Sequence, residues 1–226
     1  MSFILEPRPI LASETIVMHI ALYGATGKSG SRILTELLSR GHQVTAVVRN
    51  PEKLAPQTGL TIIRGDVSSA DEIAGKITSA DAVVSAYGPP AYDTDQLLPA
   101  TQNLIDGVKK ANVPRLLIVG GAGSLEVAPG VTVIQSGHIP PEWVAIAVSH
   151  AKILEMAKSS NINWTYFSPA GFFEPGERTG KYRLGKDALI VDEKNVSRIS
   201  MEDYAIALVD ELEKPQHEHA RFTIGY

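Results

Sequence analysis

The chain is predicted to be an α/β protein built on a doubly wound parallel sheet, and three observations predict it. Short apolar strands alternate with amphipathic helices from Met18 onward, the order that right-handed βαβ crossovers require. The first apolar run, Val17 to Tyr23, is nearly continuous, as a strand buried on both faces must be. That run leads directly into Gly24-Ala25-Thr26-Gly27-Lys28-Ser29-Gly30, a glycine turn that opens a helix.

The elements follow in order. Ser29 to Arg40 puts Ile33, Leu34, Leu37 and Leu38 on one helical stripe, and Gly41 stops the helix. Gln43 to Val48 is the second strand. Asn50-Pro51 starts a short helix, with proline in the first helical position. Leu60 to Ile63 is the third strand, and Ser69 with Glu72 has the spacing of a capping box for the next helix. Asp81 to Ala86 is a strand, Leu97 to Lys110 a helix, and Arg115 to Val119 the fifth strand. A helix runs from Val144 to Ser159, and Trp164 to Phe167 is the sixth strand. Ser200 and Asp203 begin a last helix that carries Tyr204, Ala205, Leu208, Val209 and Leu212 on one face, before a final strand at Arg221 to Gly225. Leu125 to Glu142 and Gly171 to Ser200 break the rhythm with turn-rich sequence. Both follow strand C-termini, where open α/β sheets bind ligands.

Composition narrows the function. The 226 residues suit one large domain, expected at 18–226 with 1–17 as an N-terminal extension. That extension is either an arm packed on the domain or dispensable, with Met18 as an alternative start. The absence of cysteine excludes disulfides, thiolate zinc sites, iron–sulfur clusters and a cysteine nucleophile. A formal net charge of -4 gives no electrostatic reason to expect nucleic acid. No apolar run approaches the roughly 20 residues of a spanning helix, and Glu6-Pro7-Arg8-Pro9 interrupts any signal peptide. A cytoplasmic monomer or weak homodimer is expected, with no membrane partner and no metal. His217-Glu218-His219 has alternate histidines but no third ligand, so it reads as a solvated turn.

The glycine turn carries the strongest chemistry. Gly24, Gly27 and Gly30 allow a tight turn, close approach of a pyrophosphate, and close packing of helix on strand. The backbone of Thr26, Lys28 and Ser29 then offers N–H groups at a helix N-terminus to the phosphates. A Walker A loop would need glycine at position 22, which is Leu22. An NAD-binding chain places an acidic residue at the end of the second strand, to bond the ribose 2′-hydroxyl. Here Val48-Arg49-Asn50 ends that strand. Arg49, assisted by Lys28, pairs better with a 2′-phosphate, so NADPH is expected over NADH. Asp66, beside Val67, either accepts from an adenine amino group or caps the next helix. Ala86-Tyr87-Gly88 follows the fourth strand, where small residues let backbone pass under the adenosine ribose.

The sequence resembles the atypical short-chain dehydrogenases of the NAD(P)H-binding, NmrA-like group, many of them labelled NADH-flavin reductases. Biliverdin-IXβ/flavin reductase is a distant relative. The matching pieces are the Gly24–Gly30 turn, Val48-Arg49-Asn50-Pro51, Gly65-Asp66-Val67, Gly120-Gly121-Ala122-Gly123-Ser124-Leu125, Trp164 to Ala170, and Ser197-Arg198-Ile199-Ser200 with Asp203-Tyr204-Ala205. The resemblance implies a Rossmann-like fold with a small C-terminal elaboration on the substrate side. It also implies a nicotinamide near Ser168, Pro169, Ala170 and Gly171. The group contains both reductases and non-catalytic NADP sensors.

Most short-chain dehydrogenases carry Tyr-x-x-x-Lys on the helix after the fifth strand, where lysine tunes the tyrosine for proton exchange with a carbonyl. The helix from Val144 to Lys152 has no tyrosine. Tyr182 and Lys186 have the spacing but lie in a turn-rich stretch, and the match reads as coincidence. Two other residues are candidates for catalysis. Ser124 lies just past the fifth strand, and His150 lies on the helix that would hold the tyrosine. Turn serine and ordinary helix histidine are the competing readings. Hydride transfer to a flavin, quinone or similar planar acceptor needs no strong acid and suits this sequence. Tyr87, Trp143, Phe172 and Phe173 offer aromatic faces near the expected cleft, with core packing the simpler expectation for Trp143 and Phe173. A redox sensor that binds NADP(H) without turnover is the alternative, and an epimerase-like enzyme a third.

Overall fold

A computed structural model describes residues 16–226. The expected extension at 1–17 therefore falls almost wholly outside the described residues.

The first half follows the predicted order: β1 (His19–Tyr23), α1 (Lys28–Ser39), β2 (Gln43–Val48), β3 (Leu60–Arg64), α2 (Ala70–Ile77), β4 (Ala82–Ser85), α3 (Leu97–Ala111) and β5 (Leu116–Val119). The first irregular stretch holds a short hairpin, β6 (Glu126–Ala128) and β7 (Val131–Thr132). Next come α4 (Pro141–Ser159) and β8 (Trp164–Ser168). The second irregular stretch holds β9 (Phe172–Glu174), β10 (Arg183–Gly185) and β11 (Arg198–Ser200), before α5 (Met201–Glu213) and β12 (Ala220–Gly225).

The strands order as β3-β2-β1-β4-β5-β8-β12-β10 in one eight-stranded sheet. All neighbouring pairs are parallel except β10 with β12. The chain runs outward from β1 to β3, then crosses back to β4 on the other side of β1. Such a reversal leaves a crevice above the strand C-termini, because the two flanking crossovers diverge. β9 pairs with β11 in a separate two-stranded ribbon that follows β8.

Alternation along each strand sorts the core into two layers. Ile20 and Leu22 of β1, Val84 of β4 and Phe167 of β8 pack with α1 and α5. Ala21 and Tyr23, Val83 and Tyr166 pack on the other face with α2, α3 and α4. Both faces are covered, so the central strands are largely apolar, as the sequence predicts.

Two predicted helix starts have a clear cause. Ser69 Oγ accepts from the Glu72 N–H at 3.4 Å, and Ser200 Oγ accepts from the Asp203 N–H at 3.0 Å. The capping box at Ser69 is only half made, because the Glu72 carboxylate turns to Lys76 at 3.0 Å. α1 differs from both: Gly27 is its N-cap and no side chain caps it.

The segment after β9 is tied to the start of α5 through Asp203. Its Oδ1 accepts from the N–H groups of Thr179 and Gly180 at 2.7 and 2.8 Å, and its Oδ2 accepts from Thr179 Oγ1 and Tyr226 Oη at 2.6 and 2.8 Å. Burial alone would raise the Asp203 pKa, but these bonds outweigh it and hold the carboxyl below its usual range. A second anchor is the buried Arg115–Glu211 pair joining β5 to α5. His217 Nδ1 lies 2.8 Å from Glu211 Oε2, so this histidine packs structurally.

Candidate functional site

A cleft of about 390 Å³ opens at the C-terminal ends of β1, β2, β4 and β5, where the strand order reverses. The glycine turn forms its floor. Gly24 has φ +83° and lies under β4's end, where an added Cβ would stand 2.2 Å from the Ala86 carbonyl oxygen. Gly27 lies at the cleft surface and would meet only the Gly24 carbonyl, at 3.2 Å. Gly30 is buried behind the turn, with an added Cβ 2.0 Å from the same oxygen. The three glycines thus serve strand crossing, ligand approach and helix packing in turn.

The uncapped start of α1 faces this cleft through Gly27, Lys28 and Ser29. Its first N–H groups carry the helix's partial positive charge and have no side-chain acceptor. Lys28 and Arg49 are the lysine and arginine in the lining, and the Arg49 guanidinium makes no ion pair among the described residues. The floor, the helix end and the two cations fit a dinucleotide.

Asp66 lines the cleft close to Arg49. Ser69, not Asp66, caps α2, which corrects one of the two readings of Asp66. Asp66 Oδ1 instead accepts from the N–H and hydroxyl of Ser68. Hydrogen bonds from Ser68, chiefly from its hydroxyl, hold the carboxyl below its usual range. Oδ2 makes no hydrogen bond among the described residues and is free to accept from a ligand. A second hollow of about 350 Å³ shares Arg49, Asp66, Val67 and Tyr87 with the cleft and continues to Gln96 and Asn103.

Most predicted positions come together here. Gly24, Thr26, Gly27, Lys28, Ser29, Arg49, Asp66, Val67, Ala86, Tyr87, Gly88 and His150 all line the cleft. Five do not. Gly30 is a packing glycine. Pro169 and Ala170 are buried, with Ala170 at 2% exposure in the α1–α5 core layer. Gly171 faces away and donates its N–H to Ser197 Oγ at 3.0 Å. Ser124 accepts from Arg221 Nη1 at 3.2 Å, in a group with Asp187, and does not reach the cleft. Tyr182 donates to Asp210 Oδ2 at 2.8 Å beside α5.

At the far end the lining is Val119, Gly120, His150, Phe173 and Met201. Sequence reasoning passed over Val119, Gly120 and Met201. Their signal was position: two end a central parallel strand and one follows the Ser200 cap. Tyr23 was also missed, immediately before the first glycine. Trp143 departs from its expected core packing: it is 60% exposed near the start of α4, about two turns before His150, and is not part of the cleft lining. Tyr92 and Phe172 are 89% and 61% exposed in the segments after β4 and β8. Phe173 combines both roles, with its ring 4.7 Å from Tyr204 and one face to the cleft.

No group at this end titrates near neutral pH. Burial lowers the His150 pKa to about 4, so the imidazole is neutral at pH 7. Burial pushes Tyr23 and Tyr87 up, and Asp66 beside Tyr23 adds to the shift there. His150 therefore does not supply the proton that a histidine near 6.5 would. A stability effect follows. The unfolded imidazole takes its proton near pH 6.5 and the folded one near 4, so the unfolded chain binds more protons in between. Stability is then full above about pH 6.5 and falls on acidification through that window, by about 2–3 kcal/mol from this residue. In urea unfolding at about pH 7 and pH 4.5, His150→Gln should shrink the difference in stability by that amount. An unchanged difference would show that His150 is hydrated and unperturbed.

This geometry agrees with comparison to known proteins. Residues 24–212 match the family described as NAD(P)H-binding. The chain belongs to that family. Among its relatives is the Bacillus subtilis protein YwnB, described as uncharacterized, with 43% identity over 92% of this chain and 98% of YwnB. A Bacteroides thetaiotaomicron protein described as a candidate epimerase superposes with a TM-score of 0.88 at 48% identity, over 93% of this chain and 98% of that one. A Streptococcus pneumoniae protein described as a candidate NADH-flavin reductase superposes at 0.82 with 33% identity, over 92% of this chain and 99% of that one. This NAD(P)H-binding chain shares with them the Rossmann-like sheet predicted from the sequence. Among the described residues no helix is long and apolar enough to cross a membrane.

Proposed function

We propose that this protein is an NADPH-dependent reductase that passes hydride to a flavin, quinone or similar planar acceptor. The observation that carries the reading is the far end of the cleft. It has the Phe173 ring and a neutral histidine where carbonyl reductases keep a tyrosine–lysine pair. A reduced nicotinamide, when bound, supplies the hydride. The uncapped N–H groups of α1 would hold the pyrophosphate, and Arg49 with Lys28 the 2′-phosphate. Val119, Gly120, Phe173 and Met201 give the reacting end an apolar lining. An acceptor whose ring delocalises the incoming charge needs mainly orientation, and its accompanying proton comes from solvent.

The test is whether FMN, menadione or dichlorophenolindophenol oxidises protein-bound NADPH. All should do so faster than the buffer reaction, and simple ketones should not. If no planar acceptor is reduced, the reading fails. The absence of a neutral-pH acid in the cleft then favours a sensor that binds NADP(H) without turnover.

Cofactor choice is a separate expectation. Because Arg49 makes no ion pair among the described residues and stands where an NAD site has a carboxylate, NADPH should bind at least about tenfold more tightly than NADH. Arg49→Asp should erase or invert that ratio by removing a cation and adding a repelling charge. Equal affinities of the unaltered protein in titration calorimetry would show that Arg49 plays no part in the choice.

A further inference from the structure

Behind His150 lies Tyr166, on β8 and fully buried. A phenol oxygen has one proton to give and two lone pairs to receive. The Gly121 N–H donates to Tyr166 Oη at 3.0 Å. Tyr166 Oη donates to the His150 carbonyl at 2.9 Å, and a carbonyl has no proton of its own, so the phenol proton is spent there. The remaining lone pair points to His150 Nδ1 at 3.4 Å. Only an N–H can meet it favourably. Since the ring is neutral, with a pKa lowered by burial, a proton on Nδ1 leaves Nε2 bare.

The backbone holds this arrangement tightly. A Cβ on Gly120 would stand 2.3 Å from the Tyr166 ring, and one on Gly121 would stand 2.9 Å from His150 Cβ. The two glycines after β5 therefore let the chain pass between the tyrosine and the histidine. Nε2 makes no hydrogen bond among the described residues, and the imidazole lines the cleft beside Gly120 and Phe173.

We propose that Tyr166 is a positioning residue that fixes His150 with its proton on Nδ1, so that the Nε2 lone pair selects planar acceptors bearing an imide N–H. This deepens the reductase reading and rests on it for the substrate. An isoalloxazine carries such a group at N3. A simple quinone presents only carbonyl oxygens, which Nε2 repels. The preferred acceptor is therefore a flavin, and quinones are reduced without this contact.

Two measurements on the full chain test the proposal. The first is nitrogen–proton correlation NMR of the histidine rings of the cofactor-free protein, with His150 assigned by comparison with His150→Gln. His150 should show Nδ1 protonated and Nε2 bare, and Tyr166→Phe should move the proton toward Nε2. Protonation at Nε2 in the unaltered protein overturns the proposal. The second is calorimetric binding of riboflavin and 3-methylriboflavin to the NADP⁺-loaded protein. Methylation should weaken binding at least about tenfold, since a site built to receive an N–H rejects the analogue lacking it. In Tyr166→Phe that ratio should fall to within about threefold. Equal affinities, or no binding of either flavin, overturn the substrate assignment. NADPH oxidation by menadione with no effect of N3 methylation would refute this inference and leave the reductase reading standing. Nδ1 protonation with no acceptor reduced would refute the reductase reading instead.

Discussion

Gly27→Val is expected to lower NADPH affinity by more than about 100-fold while leaving the fold intact. Gly27 has φ -79°, which any residue adopts, so the substitution carries no backbone strain. Its new Cβ meets only the Gly24 carbonyl, at 3.2 Å, a contact that a shift of a few tenths of an ångström relieves. The valine methyls then occupy the cleft floor in front of the α1 N–H groups. Gly30→Ala makes the contrasting case. Its Cβ would stand 2.0 Å from backbone oxygen, so it should cost stability before it costs affinity. Calorimetry and far-UV circular dichroism on both variants separate the two roles. NADPH affinity of Gly27→Val within about threefold of the unaltered protein would place the pyrophosphate elsewhere.

Asp203→Ala should destabilise the protein by about 3 kcal/mol or more, because it orphans four donors at once. Two are backbone N–H groups of the segment that runs beside α1 and α5, so that segment should lose hydrogen-exchange protection ahead of the sheet. The carboxyl is held below its usual range in the fold, so it contributes above its unfolded pKa, and that share disappears as pH falls through the folded value. Asp203→Asn keeps two acceptor lone pairs and should lose less. A loss under about 1 kcal/mol in urea unfolding for Asp203→Ala would mean that water replaces the carboxylate without cost.

The sheet was legible because its signals are local. Gln43–Val48 matches its strand residue for residue, and the Ser69 and Ser200 caps sit where spacing put them. The cleft lining around the glycine turn was legible for the same reason, since one turn and three strand ends carry it. The short strands β6, β7, β9, β10 and β11 were not. Each has two or three residues, too few for a period, and is held by distant partners such as Glu126 with Asp187. Ser124 and Pro169–Gly171 lie outside the cleft lining, because proximity to a strand end does not say which way a chain turns. Ser124 is drawn aside by Arg221, and Ala170 closes a core layer. His150 was found on its helix, but its protonation depends on Tyr166, which is 16 residues away and invisible to spacing.

The chain's two tryptophans stand in opposite surroundings: Trp143 is 60% exposed near the start of α4, and Trp164 is 5% exposed within β8. They divide the intrinsic fluorescence into two independent reporters. Trp164 emits from an apolar interior, and its spectrum shifts to the red only when the sheet opens. Trp143 already emits to the red, is open to quenching by acrylamide, and senses changes at the exposed start of α4. Trp143→Phe leaves a signal for the sheet alone, and Trp164→Phe one for the start of α4. Opening of the sheet and local changes at that helix can thus be followed separately with no attached dye.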